Sequence, residues 1–165
     1  MSFSLRPATR ADLPDIARLV RGLAEYENLI HECSATDAEL GSLLFGDDPP
    51  AKAVLAEVPG RKPVGVALYY RTVNTFKGRI GLFLEDLFVE PDHRGLGIGR
   101  ALLRYLGQLA IDRGYNVIEW RVLDWNEPSI QFYEKLGAVK MTDWHVRRLF
   151  GPALTALAEG ASTDG

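Results

Sequence analysis

Between Arg94 and Gly99 the chain carries its most distinctive pattern: Arg94-Gly95-Leu96-Gly97-Ile98-Gly99, three glycines at alternate positions behind one fixed cation. A strand-like run ends just before this loop, and an amphipathic helical pattern begins in it and reaches about Arg113. A helix N-terminus presents unpaired N–H groups and the positive end of its dipole. Glycines let the main chain wrap closely around an anion, because no Cβ intrudes. The loop therefore suits phosphate, with a tight turn using glycines for packing as the bland alternative. Walker A requires Gly-x-x-x-x-Gly-Lys-Ser/Thr, and no Lys-Ser or Lys-Thr follows here. A dinucleotide fingerprint needs Gly-x-Gly-x-x-Gly near the first strand of the sheet. Glu119 lies about 20 residues on, where that fingerprint wants an acid, but the glycine spacing fails first. Nucleoside triphosphates and NAD are poor fits.

Two other groups could move protons. Glu85 and Asp86 are consecutive on a strand, so alternation points them to opposite faces and only one looks into any given pocket. Both also read as ordinary strand-end acids. Tyr133, in Ser129-Ile130-Gln131-Phe132-Tyr133, carries a phenol of pKa about 10 that can protonate a departing anion. It can equally fill the seam between a helix and the sheet. Asn126 is placed to cap that helix. Cys33 has no Cys-His pair around it, and His31, His93 and His145 lack metal-ligand spacing, so no metal site is expected. Trp120, Trp125 and Trp144 read as packing residues, with Trp125 at a cleft edge beside Asn126.

The elements that hold these residues follow from periodicity. Phe3 to Arg6 suits a first strand. Thr9 with Asp12 and Thr36 with Glu39 are capping-box pairs, opening one helix to about Glu27 and a shorter one ended by Asp47-Asp48-Pro49-Pro50. Ala53 to Val58, Val64 to Tyr70 and Ile80 to Val89 read as strands, the first two joined by a turn-rich hairpin connection. Gly114 stops the helix that follows the glycine loop, and Val117 to Val122 make another strand. Pro128 sits in the first turn of a helix that Gly137 ends. Ala138 to Met141 and Val146 to Phe150 supply two last strands. The expected fold is α/β, a mixed central sheet of about seven strands flanked by about four helices. A single domain over residues 1–158 is expected, with 159–165 as a flexible tail.

Composition bounds the rest. The 165 residues are 47% hydrophobic, ample for one core. A formal charge of -3 gives no broad basic field, so binding to nucleic acid by phosphate neutralisation is not expected. The N-terminus lacks a signal-peptide core, and no apolar run approaches the roughly 18 residues of a membrane span. One cysteine suits a reducing compartment. A cytoplasmic protein without membrane attachment is expected.

Arg94-x-x-Gly97-x-Gly99, after a strand ending Leu87-Phe88-Val89-Glu90-Pro91, resembles the acetyl-CoA signature of the Gcn5-related (GNAT) acetyltransferases. The likeness runs from Arg6-Pro7-Ala8-Thr9 through Trp125-Asn126-Glu127-Pro128-Ser129 to Phe132-Tyr133. Leu23-Ala24-Glu25-Tyr26-Glu27, Ala56-Glu57-Val58-Pro59 and Leu84-Glu85-Asp86-Leu87 bring it nearest to diamine (spermidine/spermine) acetyltransferases and their thialysine-acetylating relatives.

This resemblance implies an acetyl-CoA-dependent N-acetyltransferase acting on a primary amine. Such an amine has a pKa near roughly 10.4, so it needs a base before it can attack at neutral pH. The resemblance gives that part to Glu85, directly or through a water, and the general-acid part to Tyr133. It gives acetyl-CoA binding to Leu87, Phe88, Val89, Arg94, Gly95, Leu96, Gly97, Ile98, Gly99, Asn126 and Tyr133. An oxyanion-binding N–H is implied at a strand bulge near Phe88 or Val89. Tyr26, Glu27, Glu85 and Asp86 match the acceptor side, which suits a small amine with a second charge. Arg71 and Lys77, with Asn74, favour a lysine-like acceptor carrying a carboxylate over a long polycation. A homodimer paired around the last strands, near Arg147, Leu149 and Phe150, is also implied. The rivals are a protein or other amine as acceptor, and a silent acyl-CoA-binding module.

Overall fold

The computed structural model describes residues 2–160. The chain divides into two compact units, Met1–Leu123 and Asp124–Gly165. The first unit holds a five-stranded sheet: β1 (Ser4–Pro7), β2 (Lys52–Glu57), β3 (Gly65–Asn74), β4 (Arg79–Val89) and β5 (Ile118–Trp120). These strands lie side by side in sequence order; the first four are antiparallel, and β5 runs parallel to β4.

Helices α1 (Leu13–Tyr26) and α2 (Asp37–Phe45) cover one face of the sheet. Their Ile16, Leu19, Leu40 and Leu44 pack with Leu55, Val66, Leu68 and Phe88 from the strands. The alternate strand residues Val54, Ala56, Ala67, Tyr69, Leu82 and Leu84 are buried as well. By alternation they face the other side. There α3 (Ile98–Asp112) supplies Ile98, Leu102, Leu106 and Ala110. Burial on both faces explains why β2 and the start of β3 read as unbroken apolar runs. Gly22 lets α1 come close to β4, since a Cβ there would stand 2.9 Å from the Phe88 ring.

Both capping boxes form. Asp12 accepts from Thr9 N at 2.7 Å, and Glu39 N donates to Thr36 Oγ1 at 3.2 Å. Arg6 donates to both Asp12 oxygens at 2.7 Å and to Glu57, tying β1 to the first turn and to β2. These bonds hold the Asp12 carboxyl far below the usual carboxylate range.

The second unit holds α4 (Glu127–Glu134) and α5 (Gly151–Ala158). Here the expectation of about seven strands and four helices is corrected: the described residues form five strands and five helices. Ala138 to Met141 and Val146 to Phe150 form no strands, and the C-terminal segment forms α5 instead. Val139, Met141, Trp144, Val146, Leu149 and Phe150 are all exposed. A lone hairpin that buries no apolar face has little to stabilise it. Of the expected tail, Glu159 and Gly160 continue from α5 through bonds to Thr155 O and Leu157 O. Residues 161–165 lie outside the described residues. No described helix is long and apolar enough to cross a membrane.

Candidate active site

The site of greatest chemical interest in the first unit is built on an irregularity in β4. Pairing with β3 sets Asp86 opposite Leu68 but Leu84 opposite Tyr69, so Glu85 is an extra residue between them. This bulge lies at Glu85, whereas Leu87, Phe88 and Val89 pair in step with Ala67, Val66 and Gly65. The expected position near Phe88 or Val89 is therefore displaced toward the strand centre. A bulge also suspends the two-residue alternation of side chains. Asp86, opposite Leu68, belongs to the face covered by α1 and α2. Glu85 turns to that face too, bonding to Arg121, whose guanidinium lies 5.2 Å from the ring centroid of Phe83. Phe83 pairs across the strands with Tyr70, and the two rings stack at 5.2 Å. The expectation that Glu85 and Asp86 look to opposite faces fails at the bulge.

The electrostatics follow from this gathering. Burial raises the Asp86 carboxyl to about 6, with the negative charges of Glu85 and Glu27 adding to the effect and Arg121 opposing it. Burial likewise raises Glu27, the residue just after α1. Of the expected acceptor residues, Glu27, Glu85 and Asp86 thus share one field. Arg71 does not join them. It pairs with Leu82, two residues on from Tyr69, and so belongs to the α3 side of the sheet. Lys77 lies in the turn that follows β3, where its N–H bonds to Asn74 Oδ1 at 3.1 Å.

The same strand opens an edge. β4 pairs with β5 only from Leu82 to Leu84. From Glu85 to Val89 its main chain has β3 on one side and no strand neighbour on the other among the described residues. An extended ligand arm can add itself there as a strand would. The glycine loop follows. Gly95 and Gly97 have φ of +75° and +83°, and a Cβ built on either meets no heavy atom within 4 Å. Gly97 is the N-cap of the fifteen-residue α3, with no side chain capping the helix end. Arg94 donates to Val89 O at 2.9 Å, and its guanidinium lies 4.6 Å from the Tyr26 ring centroid and 5.6 Å from that of Phe88. Tyr26 and Arg94 are therefore partners, and the cation is braced at the mouth of the loop.

In the second unit, Asn126 is the buried N-cap residue of α4, and Tyr133 is half-buried in the last turn of that helix.

The acetyltransferase (GNAT) family profile matches residues 20–138. The chain belongs to the GNAT family. A thialysine N-epsilon-acetyltransferase of Bos taurus is 37% identical over 164 residues, covering 93% of this chain and 96% of that protein. A human spermidine/spermine N(1)-acetyltransferase-like protein 1 is 37% identical over 155 residues, covering 88% of this chain and 22% of that longer protein. A solved integron cassette protein from the V. cholerae mobile metagenome superposes with a TM-score of 0.80 at 25% identity, covering 96% of this chain and 99% of that one.

This GNAT chain is an acetyl-CoA-dependent N-acetyltransferase that acetylates small amines. Its own geometry suits the co-substrate: an open cradle at Gly95 and Gly97, uncapped helix N–H groups, and an unpaired β4 edge. Sequence reasoning missed Arg121, Tyr70 and Phe83. The one available signal was alternation in the fifth strand, which sets Glu119 and Arg121 on one face.

Proposed function

We propose that this enzyme acetylates the side-chain amine of a lysine-like amino acid. The observation that carries this reading is the gathering of Glu27, Glu85 and Asp86 on one sheet face beside the open β4 edge. Three carboxylates there attract an acceptor ammonium and hold it while it loses a proton. The thialysine N-epsilon-acetyltransferase, similar over nearly the whole chain, supports an amino acid over a polyamine.

Acetyl-CoA bound along β4 and the glycine loop supplies an activated acetyl thioester. Glu85 accepts the proton of the acceptor ammonium, directly or through a water. Asp86 and Glu27 hold the amine and any second positive charge. The amine nitrogen forms the new bond to the acetyl carbon as the carbon–sulfur bond breaks, and Tyr133 returns a proton to the departing sulfur. Leu87 to Val89 and Arg94 to Gly99 hold the pantetheine and pyrophosphate. We propose in addition that the enzyme is a homodimer, with a second copy covering the exposed apolar residues between Val139 and Phe150.

The test of the acceptor is kcat/KM from CoA release with lysine, thialysine, spermidine and spermine. Thialysine and lysine are expected to exceed spermine by about tenfold or more. A strong preference for spermine would overturn the reading.

A further inference from the structure

Among the described residues, Arg121 is the cation paired into the acidic cluster, and nothing in the reaction described above uses it. Its Nη2 stands 3.2 and 3.3 Å from the two oxygens of Glu85. These are long contacts for a charged pair. Both side chains are about half exposed, at 48% and 43%. An exposed pair at such distances is weak and exchangeable. The guanidinium has a second anchor that does not depend on Glu85: it lies over the Phe83 ring at 5.2 Å, and that ring is stacked on Tyr70. Arg121 would therefore keep its place if Glu85 let go. A guanidinium has five N–H donors in a planar fork matched to a carboxylate, and only Nη2 is bonded to Glu85.

We propose that Arg121 binds the carboxylate of the amino-acid acceptor, and that this carboxylate displaces Glu85 from Arg121 and frees it to serve the amine. The inference rests on the lysine-like reading of the acceptor. It divides the site by sign. The acceptor carboxylate goes to Arg121 over Phe83, and its side-chain ammonium goes to Glu27, Glu85 and Asp86. An acceptor without a carboxylate leaves Glu85 paired and meets a cation instead of a partner. Arg121 is thus a specificity-determining residue that gates the base.

Lysine and cadaverine isolate the effect, because they differ only in the carboxylate. Their kcat/KM values are compared on the wild type, Arg121→Leu and Arg121→Lys, with acetyl-CoA affinity by calorimetry as the check of an intact fold. The wild type is expected to prefer lysine by about tenfold or more. Arg121→Leu should lower the lysine value about tenfold and raise the cadaverine value, since Glu85 is then unpaired and a repelling charge is gone. Arg121→Lys, with the charge but not the fork, should keep an intermediate ratio. A merely structural residue would lower both values together, and that result overturns the proposal. A wild type that prefers lysine with an unchanged ratio in Arg121→Leu overturns the role of Arg121 alone. A wild type that prefers cadaverine overturns the acceptor reading beneath it.

Discussion

At the scale of single residues, Asp86 has the largest energetic consequence in the site. Its carboxyl is raised from 3.8 to about 6, first by burial and then by Glu85 and Glu27. Well below pH 3.8 it is protonated whether the chain is folded or not, and its burial costs nothing electrostatic. As the pH rises through 6, the folded protein must ionise a group that the unfolded chain ionises readily, so stability is lost. Asp86→Asn keeps the shape and removes the titration. Urea unfolding should show the wild type and Asp86→Asn similar near pH 4, with the wild type weaker by about 1–3 kcal/mol near pH 7.5. A wild type that gains on the variant as pH rises would contradict this. Glu85, Asp86 and Glu27 were all visible as candidates in the sequence, but their common face was not. Alternation separates Glu85 from Asp86, and only the bulge opposite Leu68 and Tyr69 brings them together. Arg71 and Arg121 show the same limit. Both are arginines at the sheet, and the face each one takes depends on strand registers that no local pattern states.

At the scale of elements, the glycine loop and α3 carry the co-substrate. Gly97 sits at φ +83° with open space where a Cβ would be. Asn and Asp are the side chains that tolerate this backbone best, so comparing them separates charge from strain. Gly97→Asp is expected to weaken acetyl-CoA binding at least about tenfold beyond Gly97→Asn, because a carboxylate would face the pyrophosphate at the helix end. Equal affinities by calorimetry would remove the loop from that role. Most elements were legible because their signals are local: two capping boxes, Pro128 at a helix start, and apolar runs bounded by turns. The last two strands were not. Val139 and Met141 alternate with polar neighbours as strand residues do, and Val146, Leu149 and Phe150 form a second short apolar segment, yet all of them are exposed. Alternation shows that a segment can pair, and pairing also needs something to bury.

At the scale of the whole molecule, those same exposed residues support the homodimer. Light scattering at micromolar concentration should give a mass near twice the 18.3 kDa chain. A monomer mass would leave Trp144 and Phe150 in water and would overturn the dimer. The central claim is that this GNAT fold joins acetyl-CoA to a lysine-like acceptor at its side-chain amine. The most direct measurement follows CoA release and identifies the acetylated product by mass fragmentation, with thialysine as acceptor. We expect one CoA per product, with the acetyl group on the side-chain amine. No CoA release above acetyl-CoA hydrolysis, or acetylation confined to the α-amine, would contradict the account.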